Sequence, residues 1–316
     1  MSVYTRIKER LEKKELIFLD GPVGTELVRR GIRWRQHGMR TDAERVLAIQ
    51  REYIAAGADV IRTNTFQLNP RTYANLFRDL DHMRRIGAEG LEQQAGQLIR
   101  KAVRLALEAR EGSEKDRMVA VAGSVSPLNH CFRPDLAPSF EEARKEHAEI
   151  IGWMKEEGVD FVLLESMNTV SEARAAARSA RDAGLPFWVS FVIGPEGNVL
   201  SGEDLSDALE AIVKLGPDAI LVNCGPPEEI TKAVTRLRQF TDLPIGAYAH
   251  IGRYDPPSWK FEFFPHFVET DAYPPEAYAR HAGEWVRLGA GIIGGCCGTT
   301  LDHIRALREA LVRSES

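Results

Sequence analysis

The sequence predicts an α/β protein built as a single (β/α)8 barrel, with residues 1–316 forming one domain. Three features of the sequence predict this fold. Eight short apolar runs are rich in β-branched residues, longer amphipathic segments separate them, and glycine turns precede several of the runs. The glycine turns read AAGADV, EEGVDF, DAGLPF and RLGAGI. Eight units favour a closed barrel over an open doubly wound sheet, and a barrel gathers functional residues at the carboxyl ends of its strands.

The predicted strands and helices alternate along the whole chain. The strands are predicted at 17–21, 60–66, 119–125, 160–166, 187–193, 219–224, 244–250 and 289–297. Helices between them include 43–56, 83–111, 140–157 and 171–183. Residues 251–278, after the seventh strand, form a long loop rich in aromatic residues and proline. Loops of this length in compact domains are usually lids or binding loops.

Composition and charge exclude several classes of protein. The 316 residues are 44% hydrophobic and 28% charged, with a formal net charge of −5, which is typical of a soluble globular protein. No apolar run approaches the roughly 18 residues that a membrane span needs. The first residues mix both charge signs, unlike a secretory signal, and no basic surface for nucleic acid is indicated. We expect a cytoplasmic protein without membrane or nucleic-acid partners, and leave homo-oligomerisation open.

Four cysteines are too few for a disulfide framework in so long a chain. Cys224 ends the sixth predicted strand, and Cys296 and Cys297 end the eighth within the glycine-rich stretch GGCCGTT. In a barrel only one strand separates the sixth strand from the eighth, so the three sulfurs can meet at the mouth of the barrel. Three soft thiolates select Zn²⁺ and leave one position open, as in a catalytic zinc site. The alternative is a turn of small residues packed for steric reasons, and Cys131 is interpreted as a small buried hydrophobic residue.

Six segments give the chain a family resemblance that runs from residue 19 to residue 304. They are LDGPVGTELVRRG (19–31), AGADVIRTNTF (56–66), AGSVSP (122–127), LLES (163–166), VNC (222–224) and GGCCGTTLDHI (294–304). The chain resembles the homocysteine S-methyltransferase family, which includes betaine–homocysteine and S-methylmethionine–homocysteine methyltransferases and the homocysteine domain of methionine synthase. The resemblance implies a (β/α)8 barrel that binds zinc through three cysteines, here Cys224, Cys296 and Cys297.

The resemblance also implies how homocysteine would be held. Asp20 and Glu165 would bind its ammonium group, and the Gly21 backbone N–H and the Thr65 hydroxyl would bind its carboxylate. The positions of the two carboxylates agree, because acidic groups at the ends of the first and fourth strands need a cation between them. The simpler interpretations are a helix N-cap for Asp20 and a structural ion pair for Glu165.

Four further residues are candidates for the pocket wall: Asn223, His250, Tyr254 and Trp259. His250 stands where many family members carry asparagine, and three roles stay open for it: a fourth zinc ligand, a pocket wall or a core histidine. The aromatic loop, with Tyr254, Trp259, Phe263 and Phe264, either surrounds an onium methyl donor through cation–π contacts or packs on the barrel rim.

These residues predict a zinc-dependent S-methyltransferase. A methyl group would pass from a small onium donor (S-methylmethionine, S-adenosylmethionine or a betaine) to the zinc-bound thiolate of homocysteine, giving methionine. Metal coordination deprotonates the thiol and the donor leaves neutral, so no side-chain base or acid is expected to be catalytic. The alternatives are another thiol or selenol acceptor, a demethylase of a methylated onium compound, or a non-catalytic zinc-binding partner subunit.

Overall fold

A computed structural model describes residues 2–32, 38–71, 90–111, 118–254, 267–269 and 271–312 of the chain. Its strands are β1 (Ile17–Phe18), β2 (Val60–Arg62), β3 (Ala120–Val125), β4 (Phe161–Met167), β5 (Phe187–Val192), β6 (Ala219–Asn223), β7 (Ile245–Tyr248), β8 (Gly252–Tyr254), β9 (Phe267–Glu269) and β10 (Ala290–Ile293). Its α-helices are α1 (Val3–Glu12), α2 (Val23–Arg29), α3 (Ala43–Ala56), α4 (Leu91–Glu111), α5 (Phe140–Glu157), α6 (Val170–Asp182), α7 (Leu205–Val213), α8 (Pro227–Phe240), α9 (Pro275–Arg287) and α10 (Leu301–Val312).

Eight of these strands form one parallel sheet in the order β1-β10-β7-β6-β5-β4-β3-β2. A parallel bridge between Leu19 and Val60 brings the two edge strands together. Two backbone hydrogen bonds support it, from Asp59 N to Phe18 O at 2.7 Å and from Asp20 N to Val60 O at 3.0 Å. The sheet is therefore a nearly closed barrel surrounded by helices, and the predicted (β/α)8 fold is confirmed.

Glycine turns connect several helices to the strands that follow them. Gly57 and Gly158 end α3 and α5 with left-handed φ values of 118° and 89°. Residues with a Cβ atom rarely adopt this conformation, so glycine in these turns lets the chain reverse directly into the next strand. The predicted helix at 83–111 is described from Leu91 onward, and residues 83–89 lie outside the described residues.

Most strands are shorter at their carboxyl ends than the apolar runs predict. The ladder of β2 ends at Arg62, β6 ends at Asn223 and β10 ends at Ile293. The polar and sulfur-bearing residues that follow leave the ladder and turn at the mouth of the barrel. Their side chains are therefore freed from strict strand alternation, which would send neighbours to opposite faces.

The segment after β7 is more ordered at its ends than the predicted loop. Strands β8 and β9 pair antiparallel, with Gly252 opposite Glu269 and Tyr254 opposite Phe267. The physical reason is that backbone N–H and C=O groups at the base of a long excursion can satisfy each other in a hairpin ladder. Residues 255–266 and 270, including Trp259, Phe263 and Phe264, lie outside the described residues, as does the side chain of Tyr254.

The amino end of the barrel is sealed by α1. The Tyr4 ring lies 5.0 Å from the Phe161 ring, and Tyr4, Ile7 and Leu11 are buried against the barrel interior. Across the described residues, every helix is too short or too polar to traverse a lipid bilayer.

Candidate functional site

Three cysteine sulfurs meet at the carboxyl mouth of the barrel. The Sγ atoms of Cys224, Cys296 and Cys297 all lie within 4.8 Å of one another, and those of Cys224 and Cys297 are 4.0 Å apart. Cys224 and Cys296 are buried, with 4% and 8% of their surface exposed, and Cys297 is half-buried. The site is thus more open at Cys297 than at the other two cysteines.

The backbone holds this arrangement at some conformational cost. Cys224 has a φ of +55°, a left-handed conformation that is uncommon for a residue with a side chain. Its N–H donates to Tyr248 O at 3.2 Å, and the N–H of Cys296 donates to Ala249 O at 3.1 Å. Both turns are therefore tied to the end of β7, so a strained conformation is maintained where two sulfurs must converge.

The glycines beside the cysteines are needed mainly because there is no room for a Cβ atom, and less because of their backbone conformation. Only Gly298 of the three glycines around the pair adopts a left-handed φ, of 85°. A Cβ atom on Gly294 would lie 2.5 Å from the Leu19 Cβ, and one on Gly295 would lie 2.2 Å from the Thr299 hydroxyl oxygen. Gly298 therefore allows the backbone to turn, whereas Gly294 and Gly295 permit close packing under the cluster.

Asn223 supports the cluster from below. Its amide nitrogen lies 2.7 Å from Ser166 Oγ and 3.9 Å from the Cys296 sulfur. Its amide oxygen accepts from Ser190 Oγ at 2.7 Å and from Ser166 N at 3.2 Å. The side chain is fully buried, so Asn223 lies beneath the sulfurs and orients one of them rather than forming an exposed pocket wall.

The electrostatics of the cluster favour a thiolate at Cys296. The neighbouring thiols of Cys224 and Cys297, together with the nearby positive charge of Arg62, hold the pKa of Cys296 well below its usual range. The same interactions with Cys296 raise the pKa of Cys224. A cluster that shares protons in this way gives them up when a cation binds.

The donor set and spacing fit a thiophilic metal ion. Sulfurs bound to zinc at about 2.3 Å in a tetrahedron are about 3.8 Å apart, close to the spacing of Cys224 and Cys297. Three protein ligands leave a fourth position for a ligand from solution. The cysteine cluster can therefore hold a metal ion.

A buried ion-pair network lies beside the cluster. The Arg62 guanidinium donates from Nε to Asp20 Oδ1 at 2.7 Å and from Nη1 to Glu165 Oε2 at 3.0 Å. Tyr248 and Ser124 also donate to the Glu165 carboxylate, the former at 3.2 Å. Burial raises the pKa of Asp20 to about 6, although Arg62 opposes the rise. The cation that the two carboxylates need is thus supplied by the chain itself.

Arg62 was not among the residues predicted for the site, although its place in the sequence carries one signal. It is a charged residue inside the run VIRTNTF, where both strand faces are expected to be buried. A buried charge needs a partner of opposite sign, and Asp20 and Glu165 were the acidic groups predicted at the same mouth.

The two groups predicted to bind the acceptor carboxylate, the Thr65 hydroxyl and the Gly21 backbone N–H, differ in whether their proton is available to a ligand. The Thr65 hydroxyl is 2.7 Å from Ser124 O, to which it donates, and 2.7 Å from the Thr63 hydroxyl. Its proton is therefore already used. Gly21 is buried, and the part of the chain that the structure describes offers no acceptor for its N–H.

The remaining predicted candidates take different places. His250 is buried next to the cluster, where burial lowers its pKa and favours the neutral ring. The backbone N–H of His250 donates to Gly225 O at 3.1 Å. Cys131 is buried outside the group of three sulfurs, and burial raises the pKa of its thiol, which agrees with its interpretation as an apolar residue.

The fold and the site define a (β/α)8-barrel protein with a cysteine cluster able to hold a metal ion at its mouth. The sequence model of the family described as homocysteine S-methyltransferase matches residues 17–311. The chain belongs to the homocysteine S-methyltransferase family, and it is a methyltransferase.

Individual relatives cover almost the full chain. Homocysteine S-methyltransferase of Escherichia coli (strain K12) is 28% identical, over 98% of this chain and 99% of that protein. Selenocysteine Se-methyltransferase of Brassica oleracea var. italica is 27% identical, over 94% and 89%. The metallated form of the homocysteine methyltransferase MmuM from Escherichia coli superposes with a TM-score of 0.79 at 26% identity, covering 96% of this chain and 99% of that one.

Proposed function

We propose that the protein is a zinc-dependent S-methyltransferase. It moves a methyl group from a small onium donor (S-methylmethionine, S-adenosylmethionine or a betaine) to an acceptor thiolate held at Cys224, Cys296 and Cys297. The observation that carries the proposal is the convergence of these three sulfurs within 4.8 Å at the mouth of the barrel. The MmuM relative was solved in a metallated form, which supports the binding of a metal ion by this chain.

In this reaction the side chains bind and align the reactants, and none of them needs to act as an acid or a base. When bound, zinc would supply a fourth position at which a thiol loses its proton at neutral pH. A bond forms between the acceptor sulfur and the methyl carbon while the bond from that carbon to the onium sulfur or nitrogen breaks. The electron pair of the broken bond stays with the donor, which leaves neutral, and the thiol proton passes to solvent. The chain's contribution is to orient the two reactants in line.

Several residues would do this work. Asn223 orients Cys296, and the turns tied to Tyr248 and Ala249 fix the direction of the sulfurs. Burial of Cys224 and Cys296 limits water at the cluster, so the electron-rich sulfur is not quenched by solvent. Gly21 offers a buried backbone N–H for an acidic group of the acceptor, and His250 lines the same mouth as a neutral ring.

Each of two candidate acceptors is favoured by a specific observation. The names of the relatives make homocysteine, with methionine as product, the first acceptor to test. The contacts of Arg62 with Asp20 and Glu165 favour the second candidate, the same methyl transfer to a different thiol.

The test combines metal content with turnover. Zinc-loaded protein should bind one zinc ion per chain and methylate a thiol from one of the onium donors, with the product identified by mass spectrometry. Cys296→Ala should lose the zinc and reduce methyl transfer by at least roughly 100-fold, because the ligand set is broken.

Cys131→Ala is the matched control, because it removes the one cysteine outside the group of three sulfurs. This variant should keep both zinc and turnover. Full zinc content and activity in Cys296→Ala would overturn the proposed function.

A further inference from the structure

The two carboxylates beside the cysteine cluster are already occupied. Arg62 donates from Nε to Asp20 Oδ1 at 2.7 Å, from its backbone N–H to Asp20 Oδ2 at 2.9 Å, and from Nη1 to Glu165 Oε2 at 3.0 Å. The remaining oxygen, Glu165 Oε1, accepts from Ser124 Oγ. All four carboxylate oxygens therefore have a donor before any ligand arrives.

The guanidinium is held as firmly as its partners. Nη2 donates to the backbone oxygens of Asp20 and Gly295, each at 3.0 Å, and the ring of Tyr248 lies 5.2 Å from the guanidinium carbon. The Arg62 side chain is only 9% exposed, against 0% for Asp20 and 6% for Glu165. Leaving this position would strand two buried carboxylates and two backbone carbonyls, which is strongly unfavourable.

This position is next to the cysteine cluster. Gly295, which accepts from Arg62, directly precedes Cys296 in the chain. A ligand ammonium that entered here would need up to three acceptors and would lie beside a permanent positive charge. The carboxylates have one negative charge more than Arg62 neutralises, but the guanidinium occupies the position between them, where it bonds to both.

We propose that Arg62 is the specificity-determining residue of the acceptor site: its guanidinium takes the place of a ligand ammonium, so the acceptor is a thiol without an α-ammonium group. This inference rests on the proposed methyl transfer at the cysteine cluster. It separates this chain from relatives named for homocysteine and selenocysteine, which are both amino acids.

An acidic group on such a thiol still has donors available. Gly21 N–H is buried, and the Tyr53 hydroxyl is buried without a hydrogen-bond partner in the described part of the chain. The two residues are in close contact, because a Cβ atom on Gly21 would be 2.6 Å from the Tyr53 hydroxyl oxygen. A carboxyalkyl thiol is therefore a suitable probe.

The test compares two ligands that differ only in the ammonium group. Homocysteine and 4-sulfanylbutanoate share the thiol, the chain length and the carboxylate. Titration calorimetry on the zinc-loaded wild-type protein should give a Kd at least about tenfold lower for 4-sulfanylbutanoate. Equal or tighter binding of homocysteine would overturn the inference, as would a failure of both thiols to bind.

Variants at position 62 identify the residue responsible. Arg62→Gln should reverse the preference, since it opens the space between Asp20 and Glu165 to a ligand ammonium. Arg62→Lys should keep the wild-type preference, because it retains an internal cation. An unchanged preference in Arg62→Gln would overturn the role of this residue.

Two further measurements keep the outcome clear. If Arg62→Gln is unstable, homocysteine should raise its Tm more than 4-sulfanylbutanoate does, the reverse of the wild-type order. Arg71→Gln, which removes an arginine paired with Glu146 and not with Asp20 or Glu165, should behave as wild type. Methyl transfer is scored separately. Preference for 4-sulfanylbutanoate without turnover from any donor would contradict the proposed function alone, whereas turnover with a preference for homocysteine would contradict this inference alone.

Discussion

At the scale of single residues, buried polar side chains in this barrel carry several contacts each. Asn223 is fully buried and joins Ser166, Ser190 and the Cys296 sulfur through one amide group. Ser166 has a left-handed φ of 58° and follows Glu165 directly. One asparagine thus links the sulfur cluster to the strand that supplies the buried carboxylate, so the two halves of the site are positioned together.

His130, in the loop after β3, gives a pH-dependent stability. Its Nδ1 accepts from the Phe132 N–H at 3.2 Å, which requires a neutral ring, and burial together with the charge of Arg133 lowers the pKa of His130 to about 4. An unfolded histidine binds a proton near pH 6.5. Below that pH the unfolded state therefore binds more protons than the folded state, and stability falls as the pH drops from 6.5 to 4.

The His130→Asn variant should remove this contribution. Asparagine can accept from the same backbone N–H but does not titrate. Between pH 6.5 and 4 the free energy of unfolding should therefore fall less in the variant than in the wild type, and the difference should be at most about 3 kcal/mol. Urea unfolding at several pH values measures both curves. Parallel curves for the wild type and the variant would contradict the assignment, because all other titrating groups are shared.

Residue types were easier to predict than residue partners. The cysteines, Asp20 and Glu165 stand out because they follow apolar runs. Arg62 does not reveal its partners, because they lie 42 and 103 positions away along the chain and meet it only through the register of the barrel. The left-handed φ of Cys224 was equally hidden, since it is maintained by tertiary hydrogen bonds and not by local sequence.

At the scale of elements, the alternation of apolar runs and glycine turns predicted all eight barrel strands in order. Their ends were predicted less well, since residues such as Cys224 and His250 continue an apolar run but leave the ladder. Apolar character marks burial and not hydrogen bonding, so a run that enters the buried mouth looks like a longer strand. The hairpin of β8 and β9 was missed because aromatic and proline-rich composition is typical of loops.

Close packing at the end of β10 should make Gly294 intolerant of any side chain. A Cβ atom there would lie 2.5 Å from the Leu19 Cβ, which is fixed to the backbone and cannot move aside. We expect Gly294→Ala to lower the free energy of unfolding by about 1–3 kcal/mol or more, as overpacking does. Chemical denaturation monitored by tryptophan fluorescence measures the change.

Gly291 provides the control within the same strand. A Cβ atom at this position would meet nothing within 4 Å, and its φ is not left-handed. Gly291→Ala should therefore be neutral or slightly stabilising. Equal losses in the two variants would contradict the role of close packing at Gly294, because a Cβ atom on Gly291 has no neighbour to displace.

At the scale of the whole molecule, the two ends of the barrel have different tasks. The carboxyl end carries the sulfurs, the buried carboxylates and Arg62, while the amino end is closed by α1. The Tyr4 hydroxyl donates to Asp218 at 2.6 Å and accepts from Trp188 Nε1 at 3.1 Å. This division follows the general design of (β/α)8 barrels, in which one face supports stability and the other supports chemistry.

The division predicts that damage at the amino end changes stability and leaves the metal site intact. Tyr4 is 7% exposed and its ring packs on Phe161, so Tyr4→Ala should lower the free energy of unfolding by about 3 kcal/mol or more. The zinc content of the folded protein, and methyl transfer per folded chain, should equal those of the wild type. Urea unfolding and metal analysis of the same preparation measure both quantities.

Lys8→Ala is the matched control on the same helix. Its ammonium pairs with Asp218 at 2.7 Å, but the side chain is 49% exposed, and exposed ion pairs contribute at most about 1 kcal/mol. Its effect on unfolding should therefore be much smaller than that of Tyr4→Ala. Loss of zinc in folded Tyr4→Ala would mean that the two ends of the barrel are coupled, because no contact of Tyr4 described here reaches the cysteine cluster.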